Sequence, residues 1–450
     1  MTTVSTKQAQ IAKLAREDQQ RCLLSLNHHI DVPWLLEAFD RTRKDAAPGV
    51  DGVTAADYAQ DIGPKLEQLI NAAKSGRYFA PPGRRVHIAK GANETRPISI
   101  GAFEDKVLQR AVQMLLEPIY EQDFLSCSFG FRPGLCAHDG LEALWSLIGK
   151  EGCWIVEVDL RKYFDTLQRK HLRTFLDQRV RDGVVRRLID KWLKAGIWEK
   201  GAVSYPEAGT PQGGVLSPLL SNVYLHEVLD SWFEQVVKPH LRGKAFLVRY
   251  ADDFVIGCEH RDDAERVNAV LPKRFARFGL AVNESKSRMV DFRSPQQVGD
   301  TGKGRTFDFL GFTHYWGRSR RGNATVKRRT AKDRLSRSLK SVTDWLSDNR
   351  HRALGVQSET LHRKVSGHYN YYGITGNGRQ LHRFRRAVER IWKRQLDRRT
   401  RGDPSTWEQF TSRVLARHPL PTPKIIWSIK RLADRRAGKE TLPCFLPAFT

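Results

Sequence analysis

Residues 245–258 read AFLVRYADDFVIGC, and no other stretch limits the fold of this chain so tightly. Phe246, Val248 and Tyr250 alternate before its centre, and Phe254 and Ile256 after it. That alternation predicts two short strands around a tight turn. The turn would carry Asp252 and Asp253. Two adjacent carboxylates at the tip of an apolar hairpin repel one another and invite a divalent cation. Inside a strand they would point to opposite faces. A third carboxylate, Asp159, ends a separate apolar run, residues 153–159 (CWIVEVD). Three carboxylates at neighbouring strand ends can hold two Mg²⁺ ions about 3.5–4 Å apart, an arrangement suited to nucleotidyl transfer. The plain alternative is a solvated Asp-Asp turn, and the tetrapeptide Tyr250–Asp253 is by itself only moderately specific.

The rest of the chain reads as a mixture of strand pairs and helices. Residues 64–74, 103–120, 138–147, 219–236 and 263–278 have helical spacing. Residues 85–88 and the pair within 306–316 read as strands. Gly/Pro-rich loops fall at 45–54 (DAAPGVDGVT) and 209–218 (GTPQGGVLSP). This pattern predicts an α+β core. Six cysteines in 450 residues, with no Cys-x-x-Cys pair, make neither a disulfide framework nor a zinc ribbon. No apolar run reaches the ~18–20 residues that span a bilayer. The first sixteen residues lack the apolar centre of a signal peptide. The expectation is a soluble, cytoplasmic, prokaryotic protein, free to associate with the nucleoid.

Charge separates the chain into two parts. Residues 1–316 hold 44 Lys and Arg against 40 Asp and Glu, a net of +4. Residues 317–450 hold 32 against 10, a net of +22 out of the total +26. Leu335, Leu339, Val342 and Leu346, then Leu381, Phe384, Val388, Ile391 and Trp392, recur between the charges at steps of three and four. Those steps predict amphipathic helices rather than a disordered polycation. So lopsided a charge calls for a polyanion, and nucleic acid is the expected partner. Arg383, Arg385, Arg386 and Arg390 are the expected contacts on the most basic helix.

The ordered blocks together resemble the group II intron-encoded reverse transcriptase and maturase family. Tyr250–Asp253 resembles its YADD box. Before it come residues 48–54 (PGVDGVT), Lys90 and Arg96 around a short turn, 128–133 (SFGFRP) with Ala137-His138-Asp139, 159–165 (DLRKYFD) and 211–218 (PQGGVLSP). After it come 283–286, 309–312 (FLGF), 367–373 (GHYNYYG) and 391–394. The likeness covers roughly residues 30–420. RPISI at 96–100, Leu135-Cys136 and Lys162 depart from the family's usual wording, and no Cys/His nuclease motif follows, so an endonuclease domain is not expected.

The resemblance implies a right-hand polymerase of fingers and palm, followed by an α-helical basic thumb (maturase X-like) domain. The implied boundaries are 1–30 for a helical lead-in, 31–320 for fingers and palm, 321–400 for the thumb, and 401–450 for a short basic tail. It implies RNA-directed DNA synthesis with two Mg²⁺ ions on Asp159, Asp252 and Asp253, dNTP substrates, and RNA template and DNA primer or target as partners. Lys90 and Arg96 would hold the triphosphate. Phe164 would exclude a 2′-hydroxyl, Gln212 would sit near the templating pair, and Lys286 near the phosphates. Residues 309–312 would lie near the primer end. Binding and splicing of a parent intron RNA, and its mobility, belong to the same implication. Asp165 reads instead as a helix cap. Tyr369, Tyr371 and Tyr372 read as base-stacking groups or helix packing. Two other functions stay open. One is a freestanding, domesticated relative acting in DNA repair or phage defence. The other is a non-enzymatic RNA-binding maturase, which would have no need of the carboxylates.

Overall fold

The computed structural model describes residues 3–89, 95–295, 305–319, 321–399 and 403–436. Its N-terminal part is built around one long helix. Helices α1 (Val4–Glu17), α2 (Val32–Arg41), α3 (Ala55–Ala59) and α4 (Ile62–Ser75) precede strands β1 (Gly83–Ala89) and β2 (Thr95–Ile100) and then α5 (Phe103–Tyr120). Asp31 caps α2 by accepting from the Trp34 amide, and Thr54 and Asp57 form a capping box on α3. Val107, Ala111 and Leu115, whose spacing predicts the helix, are buried on α5 together with Leu108. Against it pack Ile11 and Ala15 of α1 and Trp34 of α2, whose indole donates to the Ala111 carbonyl at 3.0 Å. The N-terminal segment is therefore part of the core.

Next come α6 (Ala137–Ile148), β3 (Gly152–Val158), α7 (Tyr163–Thr166), α8 (Arg169–Arg179), α9 (Gly183–Lys194), β4 (Ile197–Glu199), β5 (Ala202–Ser204) and α10 (Ser217–Leu225). The helix expected over 219–236 continues from α10 in wider π-type turns, His226–Asp230 and Phe233–Val237. Strands β6 (Ala245–Tyr250) and β7 (Asp253–Cys258) form the expected hairpin, followed by α11 (Arg261–Arg277) and β8 (Arg288–Arg293). β9 (Thr306–Phe309), β10 (Phe312–Arg318) and β11 (Ala324–Thr330) close the sheet-bearing part.

There are three sheets among the described residues. One has the order β2-β1-β4-β5, one β11-β10-β9, and the central one β6-β7-β3-β8, antiparallel throughout. The β9–β11 sheet runs to Thr330 and so straddles residue 320.

Three helices follow: α12 (Lys332–Asp348), α13 (Leu354–Tyr372) and α14 (Gly378–Asp397). Val342 and Leu346, Leu361 and Val365, and Leu381, Phe384, Val388 and Trp392 bury one apolar seam between them. The last described residues do not trail as a tail. Phe410, on α15 (Trp407–Phe410), packs edge-on against Trp392, with ring centroids 6.0 Å apart. Trp427 then stacks on His138 of α6 at 3.9 Å, and α16 (Ile429–Arg436) lies on α6 through Arg435 and Asp139. Among the described residues no helix is long and apolar enough to cross a membrane.

Candidate active site

β3 and β7 run antiparallel, with Val158 opposite Phe254. Continuing that register places Asp159 beside Asp253 on one face of the central sheet. Ala251 and Asp252 form the two-residue connection from Tyr250 to Asp253. Ala251 takes a left-handed conformation, φ +57°, which a tight hairpin of this kind demands. The three acidic residues predicted from the sequence thus meet at one end of the sheet. Asp253 is open to solvent but crowded by protein around it. That crowding, with the negative charges of Asp252 and Asp159, pushes its carboxyl up to about 7. Arg334, on α12, acts in the opposite direction.

Asp159 is fixed by a segment that follows α11. The Asn283 side-chain amide donates to Asp159 Oδ2 at 2.9 Å, and the Asn283 backbone N–H to the Asp159 carbonyl at 2.8 Å. The Asp159 N–H donates to Ser287 Oγ at 3.2 Å. Lys286 is exposed on the turn between them, close in sequence to both anchors. Among the described residues no three acidic, histidine or cysteine side chains close into a ready-made cation cage. The donor set still fits a hard divalent cation: three carboxylates, oxygen ligands only, with one ionisation opposed by its neighbours.

The loop after β5 forms a second wall. Gln212 lies against β2: its carbonyl accepts from the Ser99 N–H at 2.6 Å. Gly213 makes the approach possible. At φ +102°, a Cβ there would lie 2.7 Å from Ile98 Cγ2 and 2.8 Å from the Ser99 carbonyl oxygen. The Gln212 amide reaches Asp165 Oδ1 at 3.5 Å. Asp165 therefore does not cap a helix; it lies inside α7, and the residue before that helix is Lys162, left-handed at φ +46°. Half-buried Phe164 packs edge-on to Tyr163, with centroids 5.4 Å apart. Gln212, Asp165, Arg85, Pro97 and Arg169 border a cavity of about 240 Å³.

Arg96 lies on β2, half-buried. Lys90 falls outside the described residues. On α14, Arg383, Arg386 and Arg390 are exposed along one stripe, whereas Arg385 turns aside to pair with Glu389 at 3.0 Å. Tyr369 and Tyr371 are buried, and Tyr372 packs on Phe312 and His368, so all three serve packing. The Tyr371 hydroxyl donates to the Leu310 carbonyl at 2.8 Å, which ties α13 to the turn at 309–312. Sequence reasoning missed Arg334 and Arg249, which act on the Asp turn from elements remote in the chain or from within its own strand. The string Asn283–Lys286 was visible, but not the bond from Asn283 to Asp159.

Residues 88–314 match the family described as reverse transcriptase (RNA-dependent DNA polymerase). Protein YkfC of Escherichia coli is 34% identical over 286 residues, 56% of this chain and 75% of that protein. The group II intron-encoded protein LtrA of Lactococcus lactis is 38% identical over 189 residues, 42% of this chain and 31% of LtrA. The putative COX1/OXI3 intron 1 protein of Saccharomyces cerevisiae is 30% identical over 319 residues, 60% of this chain and 38% of that protein. The chain thus spans three quarters of the first relative and about a third of the other two. It belongs to the reverse transcriptase family, in its group II intron-type branch.

Proposed function

We propose that this chain copies RNA into DNA from dNTPs, with Asp159, Asp252 and Asp253 as the residues that hold divalent metal. The convergence of those carboxylates at the end of the β3–β7 ladder is the observation that carries the reading. Mg²⁺ bound there would activate the primer's 3′-hydroxyl and neutralise charge on the departing pyrophosphate. Asn283 and Ser287 keep Asp159 oriented. Arg96 and Lys90 would donate charge-assisted hydrogen bonds to the triphosphate. Phe164, five residues after Asp159, would close the space a 2′-hydroxyl needs, with Gln212 against the templating pair. Lys286 would lie over the phosphates, able to give a proton to pyrophosphate as it leaves. In this reading the sheet-bearing part up to β11 is fingers and palm, α12–α14 is the thumb, and the exposed arginines of α14 lie along the nucleic acid. The net +22 after residue 316 and the kinship with intron-encoded proteins favour a structured intron RNA as template and splicing partner.

Nucleotide choice tests the assignment. On an RNA template with a DNA primer and Mg²⁺, the wild type should extend with dNTPs and hardly at all with rNTPs. Phe164→Val should retain dNTP extension and gain rNTP extension by about tenfold or more, the scale of one lost packing contact. A variant with unaltered selectivity would remove Phe164 from the sugar site.

A further inference from the structure

The turn that carries Asp252 rests on a buried ion pair. We infer that this pair, Arg249 with Asp230, is a positioning device for the metal-binding turn. The inference depends on reading Asp159, Asp252 and Asp253 as the metal site. Both partners are wholly buried, with side chains 0% exposed. Taking two charges out of water is costly, and an apolar pair of the same volume often stabilises a fold as well or better. What an apolar pair cannot supply is direction.

The guanidinium has four directed bonds. Nε donates to Asp230 Oδ1 at 2.7 Å and Nη2 to Asp230 Oδ2 at 2.5 Å, a two-pronged grip. Nη1 donates to Asn222 Oδ1 and to the Ala251 carbonyl, both at 3.0 Å. That carbonyl belongs to the peptide joining Ala251 to Asp252. The bond therefore fixes the peptide plane from which Asp252 projects. The Asn222 amide in turn donates to the Gly130 carbonyl at 2.7 Å. Gly130 abuts the same turn so closely that a Cβ there would lie 2.3 Å from the Ala251 nitrogen. The Arg249 backbone seals the seat: its N–H donates to the Cys127 carbonyl at 2.8 Å, and its carbonyl accepts from Phe129 at 2.9 Å. Arg249 thus joins the turn to α10, to the π-type turn bearing Asp230 and to residues 127–130. The side chains whose charges act most on Asp253 are Asp252, Asp159, Arg334 and Glu157, and Arg249 is not among them.

The test uses the full chain and two variants. Arg249→Lys keeps a cation for Asp230 but gathers its donors on one nitrogen, which cannot reproduce the fork. Arg249→Met with Asp230→Leu removes both charges and keeps the volume. Mn²⁺ alone is titrated and free Mn²⁺ read by electron paramagnetic resonance, with Asp159→Asn marking binding at this site. Thermal melting and steady-state dNTP incorporation run alongside. Both variants should melt cooperatively, bind Mn²⁺ about ten- to a hundredfold more weakly, and lose kcat to a similar extent with KM for dNTP unchanged. Folded variants with wild-type Mn²⁺ affinity and kcat would overturn the inference. So would losses that only follow the folded fraction, since the pair would then be a folding element. A wild type that binds Mn²⁺ through Asp159 but makes no DNA would sink the polymerase reading, while the Mn²⁺ titration would still decide the role of Arg249. Mn²⁺ binding indifferent to Asp159→Asn would remove the site on which both rest.

Discussion

At the scale of single residues, Asp253 is where the fold and the proposed chemistry conflict. Its carboxyl is pushed up to about 7 by crowding and by Asp252 and Asp159. An unfolded aspartate titrates near 3.8. Between those values the folded state binds the extra proton, so stability falls as pH rises toward 7, and the whole penalty is present above it. Asp253→Asn should therefore melt at a higher temperature than the wild type at pH 8, with the difference shrinking by pH 5 and vanishing only below about 3.8. The same variant should bind divalent metal more weakly at both. An equal difference at both pH values would show that the carboxyl is not perturbed in the fold. The acidic residues were legible in the sequence because each ends an apolar strand pattern. Arg249 was not legible as a brace, because its partners Asp230 and Asn222 lie 19 and 27 residues away on another element. Lys162 was legible only as a departure from the family's usual wording; in the fold it takes a left-handed backbone, the conformation that favours glycine.

At the scale of elements, periodicity located the hairpin at 245–258 and helices α5, α11 and α14 to within a few residues. It was less informative for α7 and for the β4–β5 pair, which are too short to show a period: α7 is held by the loop at Gly209 and Thr210, and β4 by its ladders to β1 and β5. Within α14 the sequence showed four arginines but not which face each takes. The buried seam of Leu381, Phe384, Val388 and Trp392 sets the rotation of the helix. It leaves Arg383, Arg386 and Arg390 outward and Arg385 beside Glu389. Reversing the three outward charges to Glu should weaken RNA binding. It should also reduce the slope of log affinity against log salt by about 2–3, if each meets one phosphate. Arg385→Ala should change that slope by less than about 1. Unchanged affinity in the triple variant would show that this face does not meet RNA.

At the scale of the whole molecule, aromatic stacks join parts distant in sequence. His138 of α6 lies against Trp427, and His368 of α13 against Phe384 of α14 at 3.8 Å. Burial holds both imidazoles neutral, His138 down to about 4 and His368 down to about 3. An unfolded histidine titrates near 6.5. Their contribution is complete above that value and falls as pH drops through it, because the unfolded chain then takes up the proton. His368→Phe, which keeps the stack, should gain in melting temperature relative to the wild type as pH falls from 7 to 5; a constant difference would contradict it. The sequence did not show that residues 403–436 return across α6 and α14, since so basic a stretch resembles a solvated tail until Phe410 and Trp427 are seen buried. Of the helical part, Arg334 acts on Asp253 at one end of the central sheet, and the central claim is that this end makes DNA on an RNA template. Primer extension with dNTPs and Mg²⁺ tests it, beside the Asp252→Ala/Asp253→Ala double variant. The account predicts full-length complementary DNA from the wild type and none from a folded, RNA-binding double variant. Synthesis that survives in the double variant, or its absence from a folded wild type that binds the primed template, would contradict it.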